Sequence, residues 1–297
     1  MEARCGKSLH LLPPWTVSDK VEGRLSVFLR VSQRCRSGYG LGEFCGRNEA
    51  TQRGRISLTV SHACKDRQAP SLQSGNFRAP FDGSFCKNKG KEVASYLNGR
   101  CVFLVGMMGS GKTTVGKVLS EALAYSFVDS DQYVEEALGG KSVEEIFKQF
   151  GESFFRDCES EALRNLSLVP QQVVATGGGA VVRPINWKYM SEGITVHLDA
   201  PLDSLARRIA AVGTDSRPLL DFGSEDAYTK AFTSLFVISK KRQQAYENAD
   251  TIVSFTNVAT KQGLDDMSEI APTTIALEVL GKIENFLQSS MSAGKCP

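Results

Sequence analysis

Gly106-Met107-Met108-Gly109-Ser110-Gly111-Lys112-Thr113 follows directly on the apolar run Cys101-Val102-Phe103-Leu104-Val105. The octapeptide fits G-x-x-x-x-G-K-[ST], and a strand before it with a helix after it is the setting a phosphate-binding loop requires. Glycine at 106 and 111 lets backbone N–H groups turn inward on an anion with no Cβ in the way. Lys112 brings a mobile cation to the β- and γ-phosphates, and Thr113 offers a hydroxyl to Mg2+. A helix expected over 114–124 adds the positive end of its dipole. A plain glycine-rich turn has no need of the Lys-Thr pair. Gly109, Ser110, Gly111, Lys112, Thr113 and Thr114 are therefore the expected nucleotide contacts.

Outward from the loop, short β-branched runs alternate with helical segments. Strands are expected over 101–105, 126–129, 172–176, 195–198 and 251–255. This alternation predicts an α/β architecture, a parallel sheet covered on both faces by helices and about 200 residues in extent. Ligands of such sheets bind at the C-terminal strand ends, so the residues just past each strand carry the chemistry.

Asp129-Ser130-Asp131 follows the second strand. One of its two acids can help hold Mg2+ through its waters, and the other can accept a proton from an attacking hydroxyl or orient it. Capping of the next helix by Asp129 or Ser130 is the alternative, and both can hold together. Gly177-Gly178-Gly179 follows the third strand, where it lets backbone approach a small ligand or simply turns the chain. In Phe155-Arg156-Asp157-Cys158-Glu159, helical spacing makes Glu159 a neighbour able to orient Arg156. Val212 to Leu220 reads as a polar lid that could bring Arg217 over the phosphates. Beyond the N-terminal leader the only histidine is His197, in a strand and beside no obvious partner. It is read as structural, which leaves acid–base work to carboxylates.

The chain's 297 residues carry a formal net charge of +2, but the sum hides two unlike parts. Residues 1–91 hold 16 Lys/Arg against 7 Asp/Glu, a net +9, and the rest carries −7. The leader is rich in Arg and Ser, and without the periodicity that would bury a core it is expected to be disordered. Leu11-Leu12 runs into Pro13-Pro14, too short for a secretory signal, and no apolar stretch is long enough to span a membrane. An Arg-rich, Ser-rich, acid-poor leader reads as an organelle transit peptide, with a nucleic-acid-binding tail or a plain linker as alternatives. The expected division is leader and linker over 1–91, one catalytic domain over 92–290 and a disordered tail over 291–297. The eight cysteines lack C-x-x-C spacing, so neither a zinc site nor a disulfide framework is implied.

Taken together, the loop through Thr113, Asp129-Ser130-Asp131, Phe155-Arg156, Gly177-Gly178-Gly179, Arg217-Pro218-Leu219-Leu220 and Arg242 with Tyr246 resemble shikimate kinases, in the same order and at similar spacing. The long leader resembles that of the plant, plastid-targeted members. The resemblance implies a P-loop, nucleoside-monophosphate-kinase-like fold with a five-stranded parallel sheet and a mobile lid. The reaction implied is ATP + shikimate → ADP + 3-phosphoshikimate, a step toward chorismate and the aromatic amino acids. It also implies catalytic roles for Lys112, Asp131 and the lid's Arg217, a Mg2+ site served by Thr113 and Asp129, and a place for Arg207 against the adenine. Arg156 and Arg242 would grip the shikimate carboxylate, and Gly178 and Gly179 would line its ring. Partners implied are ATP, shikimate and, for the leader, the import machinery of the plastid, with no nucleic acid and no membrane; the oligomeric state stays open. A gluconate kinase is disfavoured by the paired acids and the triple glycine. A regulatory GTPase is disfavoured because Asn88-Lys89 lacks an acid two positions on. A member that had lost catalysis should lack at least one of these contacts, and none is missing.

Overall fold

In the computed structural model, which describes residues 83–212 and 226–292, the run ahead of the loop becomes β1 (Val102–Val105), every residue of it buried. A strand apolar on both faces belongs in the middle of a covered parallel sheet, and β1 lies there. It pairs in parallel with β3 (Gln172–Ala175) on one side and β4 (Ile194–Asp199) on the other, Phe103 standing opposite Val174 and Thr195. β2 (Ser126–Asp129) and β5 (Thr251–Ser254) form the edges, giving the parallel order β2-β3-β1-β4-β5. Each strand lies within one residue of its expected bounds. The order sets β3 between β1 and β2, so Gly177-Gly178-Gly179 emerges between the phosphate loop and Asp129-Ser130-Asp131.

The helices follow in chain order. α1 (Gly83–Leu97) precedes β1. α2 (Lys112–Leu123) starts within the loop, two residues earlier than periodicity predicts, because Gly111 takes a left-handed conformation (φ 83°) at its N-cap. α3 (Ser130–Ala137) is capped by Asp129. α4 (Val143–Ser167) opens on a Ser142/Glu145 capping box and is kinked at Gly151 (φ 81°, ψ 169°). Between them α3 and α4 enclose a small second core of Val134, Ile146, Phe155 and Ala162. α5 (Pro184–Met190) follows a short 3-10 turn, Ala180–Val182. α6 (Leu202–Val212) packs along α7 (Ala227–Tyr246). The expected lid, with Arg217, lies between them and outside the described residues. α8 (Phe255–Gln262) and α9 (Pro272–Ser292) complete the domain, and α1, α2 and α9 pack on one another.

Two expected boundaries move. Residues 83–91, read from composition as linker, are helical, with Cys86 buried against α2 and α9. Their sequence is largely Gly, Ser, Asn and Lys, and only contact with two distant helices shows that they belong to the core. At the other end α9 continues through Ser292, so 291–292 are helix rather than tail. The remainder of the leader, 1–82, and residues 293–297 lie outside the described residues. Cys86 and Cys101 are buried, and burial pushes both thiols above their ordinary value, as suits small core residues. Among the described residues no helix is long and apolar enough to cross a membrane.

At the α1–α2 crossing, a Cβ on Gly90 would collide with the Ala122 carbonyl. Alanine favours a helix by about 1 kcal/mol over glycine, but a backbone carbonyl cannot yield. Gly90→Ala is therefore expected to destabilise the domain by about 1–3 kcal/mol in urea denaturation. A neutral or stabilising result would mean that α1 does not pack as closely as described.

Candidate active site

The phosphate loop is held by its own lysine. Lys112 is buried, and its Nζ donates to the carbonyls of Gly106 and Met107, each at 2.9 Å. Beside it, Thr113 Oγ1 donates to Asp129 Oδ2 at 2.8 Å, while Asp129 Oδ1 accepts from the Asp131 N–H at 3.1 Å. The carboxylate thus caps α3 through one oxygen and turns the other to Thr113, so capping leaves an oxygen beside the loop. Two hard oxygens converging beside the loop suit Mg2+, which binds few protein ligands and keeps phosphates and waters for the rest. Ser110 is fully buried with its hydroxyl unpartnered, and Thr114 is exposed on the first turn of α2.

Of two adjacent arginines on α6, the structure brings the unexpected one to the loop. Arg207, expected at the adenine, is exposed and paired with Asp203 at 2.9 Å. Arg208 is half-buried, and its guanidinium reaches the carbonyls of Gly109 and Met267, both at 3.4 Å. Which arginine turns inward depends on how α6 is rotated against the loop, and local sequence does not carry that rotation.

At the end of β3 each glycine meets one functional side chain. A Cβ on Gly177 would collide with Asp131 Oδ1 and lie 2.7 Å from Glu159 Oε1. On Gly178 it would stand 3.5 Å from Arg242 Nη1, and on Gly179 it would run into the Arg156 guanidinium. None of the three has a positive φ. The requirement is therefore one of space: at 177 and 179 any side chain would expel an acid or an arginine. The backbone also takes part, since Gly177 N–H donates to the buried Ser130 hydroxyl at 2.9 Å and Arg242 Nη1 donates to the Gly178 carbonyl at 2.6 Å. Asp131, Arg156, Gly178, Gly179 and Arg242 thus come together as a group.

This group buries charge. Arg156 and Arg242 are 7% and 6% exposed and Glu159 is 1% exposed, so each must be paired. Arg156 Nη1 donates to Glu159 at 2.9 Å, and Glu152 receives Nε and Nη2 at 3.3 and 3.1 Å. Burial opposes the Arg156 charge, but Glu159 and Glu152 outweigh it and raise its pKa overall. Asp131 has no such partner. Burial first, then the negative charges of Glu159 and Asp129, push its carboxyl up to about 7 against the pull of Lys112 and Arg156. Its Oδ1 has no hydrogen-bond partner. A buried carboxylate oxygen left open, with a pKa near neutrality, is the arrangement of a general base or proton acceptor.

His197 does have a partner, contrary to the sequence reading. Its ring stacks on Tyr246 with centroids 4.3 Å apart and planes 2° from parallel. Burial lowers its pKa, and the charge of Lys112 adds to that against the opposing pull of Asp199. Tyr246 lies on α7 one turn after Arg242, whose charge couples to it. The histidine is structural, as expected, and its role is to back the tyrosine.

Comparison with known proteins gives the site its family. A family model described as "Shikimate kinase" matches residues 108–279. The chain is 60% identical over 209 residues to a chloroplastic shikimate kinase 2 of Oryza sativa subsp. japonica, covering 70% of this chain and 68% of the relative. The chain belongs to the shikimate kinase family. A chloroplastic shikimate kinase of Solanum lycopersicum is 48% identical over 298 residues, 98% of this chain and 99% of its own. Among solved structures, the shikimate kinase from Acinetobacter baumannii in complex with shikimate superposes with a TM-score of 0.55 at 29% identity, covering 65% of this chain and 97% of that one. The P-loop kinase fold expected from sequence is therefore the fold of this shikimate kinase family member.

Sequence reasoning missed Glu152, the bond between Ser130 and Gly177, Arg208 and the His197–Tyr246 stack. Glu152 stood four residues ahead of Arg156, a helical spacing that could have found it. The other three depend on contacts between distant elements.

The raised carboxyl of Asp131 has a consequence for stability. In the unfolded chain it ionises near 3.8, in the folded protein at about 7. Between those values the folded state keeps a proton that the unfolded state has lost, so its contribution to stability falls as pH rises through the window. Asp131→Asn is expected to stabilise the ligand-free protein at pH 8 by up to about 4 kcal/mol and by little near pH 4, read from urea denaturation at the two pH values. An equal effect at both would remove the strain from Asp131.

Proposed function

We propose that this protein transfers the γ-phosphoryl group of ATP to the 3-hydroxyl of shikimate in the chloroplast, giving ADP and 3-phosphoshikimate for aromatic amino acid synthesis. One observation carries the reading. Two buried arginines, Arg156 and Arg242, converge on Gly178 and Gly179 one strand away from a phosphate loop, and an open carboxylate oxygen of Asp131 lies against the neighbouring Gly177. The spacing suits a small acid held by its carboxylate with a hydroxyl turned toward ATP. A forked guanidinium matches a planar carboxylate with two parallel hydrogen bonds.

In this reading Lys112 leaves the loop carbonyls and meets the transferring phosphate. Asp131 accepts the hydrogen of the attacking hydroxyl through Oδ1 and aims its oxygen at the γ-phosphorus. Phosphoryl transfer asks mainly for such positioning and for neutralised charge, and little covalent work falls to the protein. Thr113 and Asp129 would hold Mg2+, which supplies charge neutralisation across the phosphates when bound. Arg217, outside the described residues, is assigned to the same charge from the lid. Gly109, Ser110, Gly111 and Thr114 line the nucleotide. Arg208, whose guanidinium already touches the loop, is assigned the adenine side in preference to Arg207. The leader is assigned to the plastid import machinery.

A coupled ADP-release assay with shikimate, gluconate or no acceptor tests the reaction, with turnover expected for shikimate alone. In the same assay Asp131→Asn is expected to lower kcat by about 100-fold or more, roughly 3 kcal/mol of transition-state stabilisation, with little change in the ATP requirement. Near-normal turnover would exclude Asp131 from the reaction. Arg242→Ala is expected to raise the KM for shikimate by about 10-fold or more, because a charge-assisted bidentate contact is lost. An unchanged KM would remove Arg242 from the acceptor site.

A further inference from the structure

The Nε–Nη2 edge of Arg156 is held by Glu152 in a way that invites exchange. Both donors converge on the single oxygen Oε1, at 3.3 and 3.1 Å. A guanidinium edge is best matched by the two oxygens of one carboxylate, one to each N–H, and the Glu152 contact falls short of that. The two acids around Arg156 also differ in setting. Glu159 is 1% exposed at its side chain and fixed, whereas Glu152 is 55% exposed and opens the helical segment that restarts after the Gly151 kink. Returning Glu152 to water costs little, while leaving the buried Arg156 edge bare would cost a great deal.

Charge balance points the same way. Arg156 and Arg242 face Glu152, Glu159 and Asp131. A bound acid would add another negative charge, and of the two acids paired with Arg156 the half-exposed Glu152 is the one that yields at least cost.

We propose that Glu152 is a displaceable internal stand-in for the acceptor's carboxylate. It occupies the Arg156 edge in the empty site and is exchanged for the carboxylate of the incoming acid. This rests on the assignment of Arg156 to that carboxylate. The exchange keeps Arg156 paired throughout. It weakens acid binding by the strength of the pair that must break, and it makes the site demand an anionic acceptor. A neutral alcohol brings no group to take the place of Glu152, so Arg156 stays closed to it.

The test compares wild type, Glu152→Gln and Glu161→Gln in full-length chains at saturating ATP, with shikimate binding also measured by calorimetry without nucleotide. Glu161 lies on the same helix but pairs with Arg164, so it controls for a general loss of negative charge. Glu152→Gln is expected to lower the shikimate KM and Kd by about two- to fivefold, the range of a half-exposed ion pair, with kcat within about twofold of wild type. Glu161→Gln should leave these values in place. A KM and Kd that rise or stay constant in Glu152→Gln would show that Glu152 orients Arg156 or does nothing, and would overturn the proposal. An equal fall in Glu161→Gln would overturn it too, in favour of a diffuse field. Absence of shikimate turnover in wild type would instead refute the assigned reaction, and the exchange with it.

Discussion

Three positions without a Cβ at the end of β3 hold the acceptor side together. Gly177 admits Asp131 and Glu159, Gly179 admits Arg156, and the Gly178 carbonyl anchors Arg242. Four charged side chains from α3, α4 and α7 can then pack against one backbone segment. That segment starts from a strand paired directly with β1, so its position relative to the phosphate loop is fixed by parallel pairing with no mobile element in between. The phosphate loop and the charged group are thus aligned by the sheet.

The arrangement is costly to fold. Burying two arginines and two acids removes solvation that their pairing only partly restores, and Asp131 is left with an open oxygen and a carboxyl pushed up to about 7. Such a group lowers the stability of the folded state, a trade common in enzyme sites. Stability comes from elsewhere: the fully buried strands β1 and β3, and the packing of α1, α2 and α9 beside them. The second small core under α4 has a more local task. Phe147 and Phe155 lie 5.9 and 5.4 Å from the Arg156 guanidinium and give the cation a fixed apolar bed.

The central strands were legible because a covered parallel strand reads as a short apolar run, and those of β1 and β3 each precede a glycine-rich segment. The phosphate loop and Asp131 were legible because their chemistry demands particular residues at fixed distances along the chain. The start of α1 was not legible. Residues 83–91 are polar, and only three-dimensional contact makes Cys86 a core residue. Arg207 and Arg208 show the same limit on a finer scale, since a difference of one position on a helix is a rotation of about 100°.

The amino-acid sequence by itself determined the sheet, the nucleotide loop and the identity of the residues that carry charge, because each follows from local spacing and residue chemistry. Tertiary structure alone decided the strand order that places Gly177-Gly178-Gly179 between loop and acid. It also decided why those glycines are needed and which arginine faces the loop. Those answers depend on which side chains share a volume, and shared volume is set by the packing of segments far apart in the chain.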